Sequence, residues 1–151
     1  MSLQDRCRAF RAVLLAGLFA GPAFAADRQF VGELDPFPHE MSTRDNVVGA
    51  GMITAMLAGD RLTIRGDFTG LSSAATGAYL RMGLAMGVPG QKIGDLTITK
   101  ADSGRISGTI TLSAAAIAAL ERNALYIELD SAKAPDGNSW AWLQAPKADM
   151  S

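Results

Sequence analysis

Cysteine and histidine each occur once in the chain, as Cys7 and His39. A disulfide framework within one chain needs paired cysteines, and a histidine-rich zinc or copper site needs several imidazoles. Both are excluded by count. Basic stripes are missing as well, and acids outnumber bases by 15 to 14, a balance that argues against a nucleic-acid partner. No Gly-x-Ser-x-Gly elbow is present to offer His39 a nucleophile. Gly83-Leu-Ala-Met-Gly-Val-Pro-Gly90 is Gly-rich but lacks the Lys-Ser/Thr of a phosphate loop. It reads as a plain loop.

What is present begins at the N-terminus. Arg6, Arg8 and Arg11 precede the uncharged apolar run of residues 12–20, and small residues at Ala23 and Ala25 close the segment. This is the pattern of a secretory signal peptide cleaved after residue 25. The apolar run is about half the ~20 residues that cross a bilayer as a helix, so no permanent membrane anchor is expected. The alternative is a buried N-terminal helix. Export to the periplasm or the medium is the expectation, with a mature chain starting at Ala26. Cleavage removes Cys7, three arginines and one acid, and leaves 126 residues with 11 bases, 14 acids and a net charge of −3. Such a domain has no disulfide and no thiolate, and its stability must come from an apolar core.

The mature chain is dominated by short segments of period-2 alternation, broken by Gly, Asp and Asn. Strands are expected over 28–34, 51–57, 61–68, 78–84, 92–99, 105–112, 125–130 and 139–143. Asp35-Pro36-Phe37-Pro38 is expected to break the first, because prolines donate nothing to a ladder. Ala58-Gly59-Asp60 reads as a tight hairpin turn, and Ala101 to Gly104 as a second. In the strand over 61–68, Leu62, Ile64 and Phe68 share one face while Thr63, Arg65 and Asp67 share the other. Residues 113–122 depart from this rhythm. They are Ala-rich and open with Ser113, which predicts a short capped helix packing Ile117 and Leu120 onto the sheet. The pattern predicts an all-β domain over 26–145, a single antiparallel sandwich or flattened barrel of about eight strands, followed by a flexible tail over 146–151.

Several blocks, taken in order, are similar to a known family. Gly70-Leu-Ser-Ser-Ala-Ala-Thr76, Gly108-Thr-Ile-Thr-Leu-Ser113 leading into the Ala-rich segment, and Leu125-Tyr-Ile127 followed by Pro135-Asp-Gly137 resemble the chordin-type (CHRD) domain. That family is a β-sandwich module of animal chordin and of many bacterial exported proteins. The resemblance covers nearly the whole mature chain, from about Phe30 to Leu143. Its members commonly carry a His-x-His pair after the Gly-Leu-Ser segment and a third His in the strand that begins with Tyr. Here those positions are Tyr79, Arg81 and Asp130. The family's Gly-Glu-x-Arg-Gly ending is replaced by Gly137-Asn-Ser-Trp-Ala-Trp142. Any role of the histidines therefore does not carry over.

The candidate binding residues follow from strand parity. Tyr79 and Arg81 share one strand face, and Tyr126, Glu128 and Asp130 share another. The resemblance implies that these faces meet, so that Arg81 pairs with Asp130 or Glu128 in a structural rather than catalytic role. Trp140 and Trp142 share one face of the last strand, which is either core or a displayed aromatic pair able to stack on a sugar or anchor a protein. His39 is expected to be a surface imidazole, with pH sensing as the alternative. Asp136-Gly137-Asn138 offers oxygen ligands, but turn chemistry accounts for it without Ca²⁺. No catalytic set, cofactor or metal site is expected. The favoured function is a non-catalytic exported module that binds a protein or a cell-envelope polymer. The alternative is an enzyme or metal-dependent module whose site uses Asp, Glu and Tyr.

Overall fold

The computed structural model describes residues 27–148. The expected signal peptide, its cleavage point and residues 149–151 lie outside the described residues. Among the described residues no helix is long and apolar enough to cross a membrane.

The strands are β1 (Arg28–Glu33), β2 (Asp35–Pro36), β3 (Ala50–Ala58), β4 (Arg61–Thr69), β5 (Ala75–Met82), β6 (Gln91–Ile98), β7 (Gly104–Thr111), β8 (Leu125–Ser131) and β9 (Ser139–Trp142). They form one antiparallel sheet in the order β1-β3-β4-β7-β6-β5-β8-β9-β2. The chain after β9 returns to β1, where Val31 and Gln144 exchange hydrogen bonds of 2.8 and 2.9 Å. The sheet is thus a nearly closed barrel, and closure leaves little edge exposed to pairing with other chains.

Alternation decides which face is inside. Ile53, Ala55 and Leu57 of β3 and Leu62, Ile64 and Phe68 of β4 point inward, while Met52 and Met56 stand exposed on the outer face. Leu80, Ile106, Leu125, Ile127 and Leu129 complete the interior. Burying one such side chain contributes ~1.5–3 kcal/mol, so this row carries the stability that no disulfide supplies.

Two expectations are corrected here. Pro36 does enter the sheet, because β2 is a two-residue edge strand paired Asp35 to Trp140 and Pro36 to Ser139. At an edge the missing N–H faces away from any partner, which is where proline is tolerated. This short strand is the ninth. The second correction concerns Leu84, expected inside a strand over 78–84. β5 ends at Met82, and Leu84 is 83% exposed in the loop that follows.

The helix α1 (Ala114–Glu121) forms as the sequence predicts, with the Ser113 hydroxyl accepting from the Ala116 N–H at 3.1 Å. Leu120 is fully buried and Ile117 packs against the core. Asn123, at φ 62°, ends the helix in the left-handed region that Asn tolerates. Ser113→Ala should cost about 1 kcal/mol in a denaturant titration, the usual loss when an N-cap acceptor is removed. An unchanged midpoint would show that packing alone holds the helix. Residues 146–148 run as exposed coil.

Candidate functional site

All seven candidate residues lie on the outer face of β5, β8 and β9. The antiparallel register sets Tyr79 opposite Glu128, Arg81 opposite Tyr126, and Gly77 opposite Asp130. On the other side of β8, Trp142 stands opposite Tyr126 and Trp140 opposite Glu128. Every residue of β8 is buried. Leu125, Ile127 and Leu129 fill the barrel, and Tyr126, Glu128 and Asp130 are covered on the outside.

One half of this outer layer is ionic. Arg81 Nε lies 2.9 Å from Glu128 Oε2, with the two side chains 27% and 5% exposed. The N–H does not point along that line, so this is a charge contact rather than an aligned hydrogen bond. Alignment comes from the other nitrogen, since Arg81 Nη1 donates to the Gly90 carbonyl at 3.0 Å. The Gly90 N–H in turn donates to Tyr126 Oη at 2.9 Å. Gly90 is therefore the point where loop 83–90 is tied down. A Cβ there would overlap the Met82 carbonyl, so only glycine brings this backbone close enough. The expected Arg81 pairing is present, with Glu128 as the acid.

Asp130 sits beyond the arginine's reach in this network. Among the described residues its Oδ1 is buried without a hydrogen-bond partner. Burial, then the neighbouring charge of Glu128 and a hydrogen bond with it, push its carboxyl up to about 7, against a smaller lowering by Arg81. Near neutral pH the Asp130 carboxyl therefore still holds much of its proton beside Glu128. The Tyr126 hydroxyl is also raised, chiefly by burial, which outweighs its bond to Gly90.

The other half is aromatic. The Tyr126 ring stacks on Trp142 at 4.3 Å and 30°, and meets Trp140 edge-on at 5.8 Å. Trp140 and Trp142 meet at 5.2 Å with planes 73° apart, and Phe37 lies 4.8 Å from Trp140. Both indoles are half-buried, while Ser139, Ala141 and Leu143 face the interior. The tryptophans are thus neither core nor fully displayed. They form an outer layer over β8.

Tyr79 stands somewhat apart. Its ring lies back over Gly77, where any Cβ would overlap its hydroxyl, and Lys92 Nζ sits 5.0 Å above the ring. His39 is exposed, with Nδ1 2.8 Å from the Phe37 carbonyl. Among the described residues no three His, Cys, Asp or Glu side chains converge as a metal site. Asp136-Gly137-Asn138 is turn-like, but Asn138 is fully buried. It accepts from Ser131 Oγ at 2.9 Å and donates to the Val48 carbonyl at 3.1 Å.

Sequence reasoning missed Phe37, Gly90, Glu33, Asp35 and Gln144. The last three line a groove of about 360 Å³ with Trp140, Trp142 and Met86. Only the Gly-rich character of residues 83–90 hinted at a close backbone approach there. No protein-family model, curated protein or solved structure matches this chain.

Proposed function

We propose that the protein is an exported, non-catalytic binding module of the chordin type, engaging a protein or cell-envelope partner through the outer face of β8 and β9. One observation carries this reading: half-buried Trp140 and Trp142 line an open groove while Tyr126, Glu128 and Asp130 on the neighbouring strand are buried. Aromatic side chains of this kind anchor partners at low ordering cost. Glu128 and Tyr126 already bind Arg81 and Gly90, so they hold the layer together rather than face a substrate. The chordin-type assignment is supported by the order of blocks along the chain.

The test uses the exported protein. It should co-sediment with the cell-envelope fraction of its host, and Trp140→Ala should lose that association while retaining its far-ultraviolet circular dichroism. Turnover on a hydrolase or oxidoreductase panel, abolished by one substitution, would overturn the reading. Mass spectrometry should find the mature N-terminus at Ala26. A form still carrying Cys7 would argue against export by this route.

Asp130 supports a second reading. A carboxyl held near pH 7 with an unpartnered oxygen is what acid–base sites use. Stoichiometric copper, zinc or calcium in the purified protein would favour this enzymatic or metal-dependent alternative.

A further inference from the structure

The groove beside the two tryptophans has a chemistry of its own. Among the described residues its lining is Glu33, Asp35, Met86, Gly87, Trp140, Trp142 and Gln144, with no Lys or Arg. An anion would meet two carboxylates and no counter-charge there, which excludes anionic ligands. Pairing places one acid beside each indole. Asp35 is the cross-strand partner of Trp140. The antiparallel bridge between Val31 and Gln144 brings Glu33 alongside Trp142.

Ring geometry narrows the choice between a cation and a neutral sugar. A sugar stacks on a broad flat platform. Here the indole planes stand 73° apart at 5.2 Å and make a corner of two π-faces. Such a corner surrounds a compact cation on two sides, and tryptophan is the strongest aromatic partner for one. Both rings are held from behind, Trp142 by the stacked Tyr126 and Trp140 by Phe37. Little ordering is therefore needed on binding. Met86 adds an apolar wall, which suits an alkylated nitrogen better than a strongly hydrated primary ammonium.

Resting on the binding-module reading, we propose that this groove binds a quaternary ammonium group. Such a group reaches it either as a free small molecule or on a lipid headgroup. The lipid route draws on the loop above the groove, where Leu84, Met86 and Val88 are 83%, 53% and 42% exposed.

Choline is the probe, and its uncharged isostere 3,3-dimethyl-1-butanol is the control. Calorimetry and tryptophan fluorescence should show saturable choline binding, with the isostere at least about fivefold weaker. Trp140→Ala should weaken choline by roughly 5- to 30-fold, and Trp140→Phe, which keeps a ring, by less. Glu33→Gln with Asp35→Asn, both at exposed positions, should weaken it further and flatten its salt dependence. Vesicles of phosphatidylcholine separate the sources. Vesicle binding that needs Leu84 and Val88 assigns the headgroup, and choline binding without vesicle binding assigns the free ligand. No response to choline, an equal response to the isostere, or tighter binding of cellobiose would overturn the proposal. Envelope co-sedimentation that persists but is not competed by choline would remove the ammonium ligand and leave the binding module standing.

Discussion

Arg81→Ala is expected to destabilise the domain by ~2–3 kcal/mol, a fall in melting temperature of roughly 10 °C for a chain of this size. Two losses combine. Glu128 is 5% exposed at its side chain and would lose the guanidinium 2.9 Å away, leaving it beside the Asp130 carboxyl. Breaking a buried ion pair typically costs more than this, but Arg81 retains 27% exposure, so water partly screens the loss. The Gly90 carbonyl would also lose its donor, loosening the loop that closes over Met82. Arg81→Lys should fall between, because it keeps the charge and loses the planar geometry that reaches both Glu128 and Gly90. The double replacement Arg81→Leu with Glu128→Leu should recover much of the stability, since Glu128 is then no longer buried without its cation. A loss under about 0.5 kcal/mol for Arg81→Ala would show the pair to be ornamental.

Asp130 provides the second large effect, and it depends on pH. Its folded carboxyl is raised from 3.8 to about 7, so the folded state binds the proton more tightly than the unfolded chain does. This contribution is fully present below the unfolded value. It is lost progressively as pH rises through about 7, where the native state must either keep a proton the unfolded chain has shed or bury a second charge beside Glu128. Stability from this group therefore falls between about pH 4 and pH 7, opposite in sign to an ordinary salt-bridged carboxylate. Asp130→Asn replaces the protonated form with an uncharged isostere. The variant should match the wild type near pH 3, below the unfolded value, and exceed it near pH 8 by ~2–4 kcal/mol. Subtracting the two pH profiles removes the titration of every other acid. Parallel profiles across that window would show that the Asp130 carboxyl is not raised on folding.

Period-2 alternation makes the hairpins, the inward face of β4 and the separation of Ile127 from Glu128 legible in the sequence, because parity is a local property of a strand. Ser113 and the Ala-rich run similarly announced α1, since caps and propensity act within one turn. The Arg81–Glu128 contact was legible only through an assumed pairing of β5 with β8. Parity fixes which face a side chain takes, but it says nothing about which strand lies alongside.

Other features had no local signal. Pro36 reads as a strand breaker, and it is in the sheet because β9 happens to be its neighbour on the one side where it can pair. The half-burial of Trp140 and Trp142 depends on Phe37, more than 100 residues earlier, and on Tyr126 across the ladder. The raised Asp130 carboxyl needs both the lid over β8 and a neighbour two residues away. By itself, the sequence determined the all-β class, the inward row of β4, the helix α1 and the set of outer-face side chains, because these depend on residue type and spacing along one element. The tertiary structure alone decided barrel closure through Val31 and Gln144, the sealing of the Glu128–Asp130 pair and the acid-lined groove at the indole corner. Each of these joins side chains from distant segments, and only long-range register brings them within contact distance.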